Sequence, residues 1–286
     1  MNKISRRLSR KNSFFAYPYC LWSVVFIVVP LLLVVYYSFV IKNDSGYVFS
    51  LQNYKLVFNT LNAKVFLRSF GLAGLATLLC VVIGYPVAYL ISKFHPSKRG
   101  TIIILFILPM WMNFLLRTYA WVAILGKNGL INTFLGAIGL GSINILYTNY
   151  AVILGMVYNF LPFMVLPIYT SLSKVDEELI NAAKDLGANN ATVFRKIIFP
   201  LSLPGVYSGI TMVFMPAVTT FAISRLLGGG RVMLVGDLIE QQFTVVGDWN
   251  FGSAISMCLM IIIMLSMAFM SKYEDANEVE GGGFLF

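Results

Sequence analysis

The stretch SKVDEELINAAKDLGANNATVFRKIIFP, residues 173–200, decides how this chain is read, because it sets charge and helix punctuation between two long apolar runs. Asp176, Glu177 and Glu178 stand where a helix would begin, complementing the positive end of its dipole. Leu179, Ala182, Ala183 and Leu186 follow at spacings of three and four and give one apolar face. Gly187 is the expected stop, since a helix end commonly needs the left-handed conformation that glycine adopts readily. Asn189 or Asn190 caps a second helix, predicted to run through Phe194 and Ile197 to Pro200, just before the next apolar run. The result is a short exposed helix held between two apolar segments, with two alanines that permit close approach, an element able to act as a rigid lever. Any helix-turn-helix loop, including a DNA-reading one, shares this local pattern, so the surroundings have to decide.

The surroundings are apolar. Of 286 residues, 58% are hydrophobic and 12% charged, and the mean hydropathy is +0.80. An ordinary globular domain is about 25% charged. A chain with half that load cannot cover a soluble body with polar side chains, so this is a membrane protein. A helix needs about 20 apolar residues to cross a bilayer, and six runs qualify. The first lies within the uncharged stretch Asn12 to Ile41, with its apolar core from Ala16 to Val40. The others are Ser69–Ser92, which contains Pro86, then Thr101–Leu125, which carries Arg117, and then Tyr150–Tyr169, Ser202–Ser224 and Trp249–Met270. A proline such as Pro86 is tolerated in a membrane helix when neighbours or water satisfy the freed carbonyl. The Gly- and Asn-rich segment from Asn128 to Asn144 reads as a loop with one short surface helix. The expected fold is an all-α integral membrane protein of six transmembrane helices. Its parts are a basic amino terminus (1–15), a first helix (16–41), a main transmembrane domain (65–271) containing the 173–200 loop, and a tail (272–286) that is acidic, ends in glycines and is expected to be disordered.

Six crossings put both ends on one side, and the Lys/Arg distribution says which. Lys3, Arg6, Arg7, Arg10 and Lys11 precede the first run, Lys93, Lys98 and Arg99 follow the second, Lys174, Lys184, Arg195 and Lys196 follow the fourth, and Lys272 follows the sixth. The opposite side has fewer: Lys42, Lys55, Lys64, Lys127, Arg225 and Arg231. The denser face is predicted to be cytoplasmic, so the 173–200 loop and both termini lie inside. The net charge of +9 then needs no nucleic-acid partner. Nor does the amino terminus read as a cleaved signal peptide, because its apolar run is too long and no small-x-small cleavage site follows it.

Several function classes lack their chemistry. None of the 12 acidic residues falls within a run, whereas a proton- or sodium-driven transporter usually places a carboxylate near the midplane. Arg117 lies 16 residues beyond Thr101, roughly 24 Å along a helix rising about 1.5 Å per residue, which places it near the outer surface with its stem snorkelling. Arg68 is read the same way. The single histidine, His95, has no carboxylate or cysteine nearby for metal or triad chemistry. Cys20, Cys80 and Cys258 lie far apart inside apolar runs, which argues against a disulfide framework or thiolate metal site. There is no G-x-x-x-x-G-K-[ST] phosphate loop. No cofactor and no metal are expected on this chain, and if nucleotide hydrolysis powers it, another subunit performs it.

The 173–200 loop resembles the signature of binding-protein-dependent ABC importer permeases, which runs E-A-A, three residues, G, nine residues, I, one residue, L-P. Here the matching positions are Asn181-Ala182-Ala183, Gly187, Ile197 and Phe199-Pro200, with Asn181 in place of the Glu and Phe199 in place of the Leu. The departure at Asn181 bears on any role needing a carboxylate there and leaves the helix intact. Six spans with both ends inside also fit that family, whose fold is the type I, MetI-like permease. Leu161–Tyr169, Ala183–Ala188, Leu227-Gly-Gly-Gly and Asp248–Gly252 look like the spermidine/putrescine permeases called PotB. That resemblance implies a second, PotC-like permease, two copies of a PotA-like ATPase that carries the ATP and Mg, and a PotD-like extracytoplasmic protein that delivers the polyamine.

It also implies a multi-pass protein of the bacterial inner membrane and an ATPase-coupling set of Asn181, Ala182, Ala183, Lys184, Asp185, Gly187, Ile197 and Pro200. A polycation favours carboxylates and aromatic faces. The candidate substrate path is therefore Trp111, Tyr119, Asp237, Glu240, Asp248 and Trp249, although interfacial anchoring for the aromatics and loop solvation for the acids is the preferred reading. Alternatives are an ABC permease for phosphonate, thiamine, iron or molybdate, a stand-alone secondary transporter, and an integral-membrane enzyme.

Overall fold

Within a bilayer only helices and closed barrels satisfy every backbone N–H and C=O internally, and this chain takes the helical solution. The computed structural model describes residues 17–43, 46–139 and 141–281. The order is α1 (Pro18–Ser38), β1 (Val40–Asn43), β2 (Gly46–Phe49), α2 (Gln52–Val57), α3 (Thr60–Lys93), α4 (Pro96–Trp111) and α5 (Phe114–Leu125). There follow α6 (Leu130–Ala137), α7 (Asn149–Ser173), α8 (Glu177–Asp185), α9 (Asn190–Thr219), α10 (Ala222–Gly228), α11 (Val235–Gln241) and α12 (Trp249–Gly281). Among them α1, α3, α7, α9 and residues Trp249–Ala268 of α12 are long and apolar enough to cross a membrane. A sixth crossing results if α4 and the following segment Phe114–Ala137 count as one bent span.

That third crossing departs from expectation. Instead of one helix over Thr101–Leu125, two helical segments meet at 86°. Pro109 opens a single 3₁₀ turn, Leu108–Trp111, and Met112 is extended. Asn113 then starts α5 afresh, its Oδ1 accepting from the Leu115 and Leu116 amides at 2.8 and 3.4 Å. A proline that cannot continue the ladder and an asparagine that caps a new one make the corner. The straight-helix distance to Arg117 therefore does not apply. Arg117 is 8% exposed, and its Nε lacks a hydrogen-bond partner among the described residues, so it is packed rather than snorkelling. Arg68, by contrast, is exposed.

The fifth crossing also differs from Ser202–Ser224. It starts at Asn190 and ends at Thr219, and Ser224 lies on the separate helix α10, after the extended Thr220. The second loop helix does not stop at Pro200 but runs into this crossing. A π-helical turn, Phe194–Ile198, precedes Pro200, and the Phe199 amide donates to the Phe194 carbonyl. The same device, Val24–Val28, precedes Pro30 in α1. Shifting to the i+5 register just ahead of a residue without an N–H lets the helix pass through it. The β1–β2 hairpin, paired from Val40↔Phe49 to Asn43↔Gly46, is an exception to the all-α expectation. The tail is not irregular from 272 onward, since α12 continues to Gly281; residues 282–286 and the basic amino terminus 1–15 lie outside the described residues.

The chain divides into two compact units, Met1–Ala63 with Ile239–Ile261 and Lys64–Leu238 with Ile262–Phe286. In the first, Asn53 Nδ2 donates to the Val40 and Ser38 carbonyls at 3.0 and 3.4 Å, Tyr54 donates its hydroxyl proton to Ser38 Oγ at 2.9 Å, and Phe39 stacks on Phe49. Asn250 also donates to the Val40 carbonyl.

The second unit is built on α7 against α9. Lipid tails are as apolar as leucine, so such contacts depend on close van der Waals fit rather than on expelling water. Gly205 and Gly209, one turn apart on α9, supply it: a Cβ on Gly205 would lie 2.5 Å from the Pro167 carbonyl oxygen, and one on Gly209 2.7 Å from the Met164 sulfur. Met156, Met164, Val165 and Ile168 of α7 are fully buried as a result. The segment after α9 contributes core as well, through Ile223, Leu227, Leu234 and Val235, and the Val235 amide donates to Ser69 Oγ of α3 at 2.8 Å.

Candidate functional site

The loop between α7 and α9 folds as its punctuation dictates. Asp176 Oδ1 accepts from the Glu178 amide at 2.9 Å, capping α8. Glu177 and Glu178 occupy the first turn and Lys184 the last, each sign matched to the dipole. At the far end Gly187 has φ +84°, its amide donates to the Lys184 carbonyl at 2.8 Å, and the Ala188 amide donates to that of Ala183 at 3.0 Å. These two bonds are the Schellman arrangement, which needs a residue comfortable at positive φ at this place. Asn189 Oδ1 then accepts from the Thr192 amide at 2.8 Å, so Asn189 and not Asn190 is the cap of α9.

Once formed, α8 presents three distinct faces. Leu179, Ala182 and Leu186 are exposed, Leu186 to 90%, which is a conspicuous apolar strip on a helix with an otherwise polar composition. A second face, with Glu177, Ile180, Asn181 and Lys184, lines a cleft of about 220 Å³ closed by Tyr89, Lys93 and Arg99. On the third side Asp176 and Leu179 reach the end of a wide groove of about 1010 Å³ running between α7 and α9, past Pro167, Ser171, Pro204 and Ser208. Asp185 and Gly187 are exposed beside the strip, and Ala183 is half-buried. Ile197 is half-buried and Pro200 exposed, whereas the neighbouring Ile198, which the sequence pattern did not single out, is the buried anchor.

The model of the family described as "Binding-protein-dependent transport system inner membrane component" matches residues 81–276. The chain belongs to this family. Among similar proteins, the spermidine/putrescine transport system permease protein PotB of Haemophilus influenzae is 42% identical over 263 residues, covering 90% of this chain and 91% of that one. PotB of Escherichia coli is 39% identical over 251 residues, covering 86% and 91%. The crystal structure of a bacterial ABC transporter involved in the import of the acidic polysaccharide alginate is similar with TM-score 0.81 at 14% identity, over 96% of this chain and 99% of that one. The MetNI methionine ABC transporter in an inward-facing form is similar with TM-score 0.55 at 18% identity, over 75% and 95%. At those identities the likeness to the solved structures concerns fold. The chain is thus a transport subunit of the inner membrane, not an enzyme.

The candidate substrate-path residues of this permease are divided between the two compact units. Trp111, Tyr119 and Asp237 lie in one compact unit, and Glu240, Asp248 and Trp249 in the other. The acids have local structural work: Asp237 Oδ2 accepts from the Leu234 amide at 2.9 Å, Asp248 Oδ1 accepts from the Phe251 amide at 3.0 Å as the cap of α12, and Glu240 Oε1 accepts from Thr244 at 3.1 Å. Trp111 and Tyr119 are exposed on either side of the corner at Asn113, and Trp249 packs edge-on against Phe243 with centroids 5.4 Å apart. Sequence reasoning missed the Gly205-x-x-x-Gly209 spacing and the pairing of Pro109 with Asn113. Both are visible as motifs once a close helix contact or a new cap is looked for.

Proposed function

We infer that this permease conducts polyamines such as spermidine and putrescine into the cell, as one half of an ATP-driven importer. PotB relatives at 42% and 39% identity over about nine-tenths of the chain support the substrate class. The partners are a PotC-like second permease, a pair of PotA-like ATPase subunits that hold ATP and Mg²⁺ in place of any nucleotide site here, and a PotD-like extracytoplasmic binding protein. The termini and α8 face the cytoplasm, a reading supported by the excess of basic residues on that side of the crossings.

One observation carries the mechanism: α8 is a rigidly capped helix whose apolar strip, Leu179, Ala182 and Leu186, is exposed among the described residues. An ATPase groove covers that strip, with Lys184 and Asp185 at its polar rim, and closure of the ATPase pair on ATP moves α8. Because α8 is bounded at both ends by caps and α9 continues from Asn190 without a break, a displacement of α8 is passed to α9 and to α7 packed on it, rocking the two permeases between inward-open and outward-open states. Asn181 faces the cleft with Glu177 one turn before it, so the carboxylate that the importer signature carries at the Asn181 position has a same-face neighbour here.

With no carboxylate inside a crossing, selectivity resides mainly in the delivery protein, and the permease has only to offer a polar route. The deciding experiment is uptake of labelled spermidine and putrescine by cells deleted for this chain. Uptake that falls to background and returns with the restored gene supports the reading. Unchanged uptake of both amines removes the substrate, and loss of uptake of a different solute reassigns it.

A further inference from the structure

The cleft on the inner side of α8 is a separate feature from the apolar strip, although Lys184 borders both, and its walls come from α3, α4, α7, α8 and α9. Tyr89, Ser92 and Lys93 end α3, Arg99 lies in the first turns of α4, and Glu177, Asn181 and Lys184 belong to α8. Three of these side chains are cations and one is an anion. Glu177 does not neutralise them: its carboxylate is 4.0 Å from Arg99 and 85% exposed, a long and water-screened pair. Arg99 is held in place, with Nε donating to the Phe94 carbonyl at 2.7 Å and its side chain only 22% exposed. Lys93 is steered by the Tyr89 ring, 5.2 Å below its ammonium. Lys184 and Asn181 have no side-chain partner among the described residues.

The hydroxyls of Ser92 and Ser173 already donate to the Tyr89 and Tyr169 carbonyls, each at 2.8 Å. Unspent donors therefore belong to the cations and the Asn181 amide, and what they need is an acceptor with several oxygens. A guanidinium fork flanked by two ammonium groups suits a phosphate in particular. The height suits one too, because α3 ends its apolar run here, and Leu90 and Phe94, next in sequence to the lining residues Tyr89 and Lys93, are exposed apolar surface of the kind that an acyl chain covers.

We propose that this cleft binds a phosphate-class anion, a phospholipid headgroup or free phosphate, that clamps α8 to the turn between α3 and α4. The anion competes with Glu177 for Arg99, so occupancy sets how firmly the helix is held. This does not depend on what the transporter carries, and its test reads no transport.

The transporter purified through this chain is placed in nanodiscs of phosphatidylcholine alone, of phosphatidylcholine with phosphatidylglycerol, or of phosphatidylcholine with added inorganic phosphate, and amide exchange over Glu177–Asp185 is followed. Exchange slowed severalfold by phosphatidylglycerol, and restored by Arg99→Gln or by Lys184→Gln, supports a lipid headgroup. The same protection from inorganic phosphate supports the free anion. No protection in either arm overturns the proposal. So does protection that survives both substitutions, or that potassium chloride at matched ionic strength reproduces. Each variant is read separately, so a failure of one to insert leaves the other to decide. Native mass spectrometry provides an independent check, in which phosphatidylglycerol is retained by the parent protein and lost from the variant.

Discussion

At the residue scale, the positions that matter are those where one atom more would be too many, or where a backbone angle admits one residue type. Gly187, at φ +84°, closes α8 through two hydrogen bonds. A β-branched residue there is strained by roughly 1–2 kcal/mol, which loosens the end of the lever without touching the crossings. Gly187→Val is expected to insert normally while lowering polyamine uptake and transport-coupled ATP hydrolysis together; normal uptake by a well-inserted variant would remove α8 as the handle. Leu186 tests the same idea from the contact side. Since it is 90% exposed, Leu186→Asp leaves the permease folded and weakens co-purification of the ATPase, and an undiminished yield of ATPase would place the docking surface elsewhere. Gly209 is the opposite case, because its neighbour is the interior. Gly209→Leu drives a side chain into Met164, an overpacking cost of about 1–3 kcal/mol or more, and is expected to lower the melting temperature in detergent. Met164→Ala in the same chain should recover part of that loss.

At the element scale, the corner between α4 and α5 shows how little sequence is needed to turn a crossing through 86°. Pro109 ends one ladder and Asn113 begins the next, with Met112 alone extended between them. Removing the cap by Asn113→Ala costs about 0.5–2 kcal/mol, all of it at the start of α5. Faster amide exchange over Phe114–Leu125, with α7 and α9 unchanged, is the expected signature; uniform exchange across the chain would mean that the cap does not hold the corner. The hydropathy of Thr101–Leu125 reveals none of this, because a bent pair and a straight helix can have the same composition. The Pro30 and Pro200 sites make the converse point. A proline reads as a stop, but a π-helical turn ahead of it carries the helix through, so the stop predicted at Pro200 is absent. What was legible at this scale was α8 itself, since caps, charges and the terminal glycine act within a few residues of one another and need no tertiary partner.

At the scale of the whole molecule, the charge pattern makes a prediction about orientation. A single cysteine at Lys184, introduced after the native cysteines are replaced, is expected to react with an impermeant thiol reagent only in inverted vesicles, and one at Asp248 only in intact, outer-membrane-permeabilised cells. The reverse pattern would place α8 on the wrong side for any cytoplasmic ATPase. By itself the sequence determined that the chain is a membrane protein, roughly where it crosses, and the form of α8 with its acidic first turn and the glycine that ends it. All of these depend on composition or on interactions a few residues long. Tertiary structure alone decided that Arg117 is buried, that the segment after α9 supplies core residues, that α7 and α9 meet through glycines, and that Lys93, Arg99 and Lys184 share a cleft. Those facts require residues far apart in the chain to come within a few ångströms of each other, and in a nonpolar solvent that selection is made by steric fit, which hydropathy does not record.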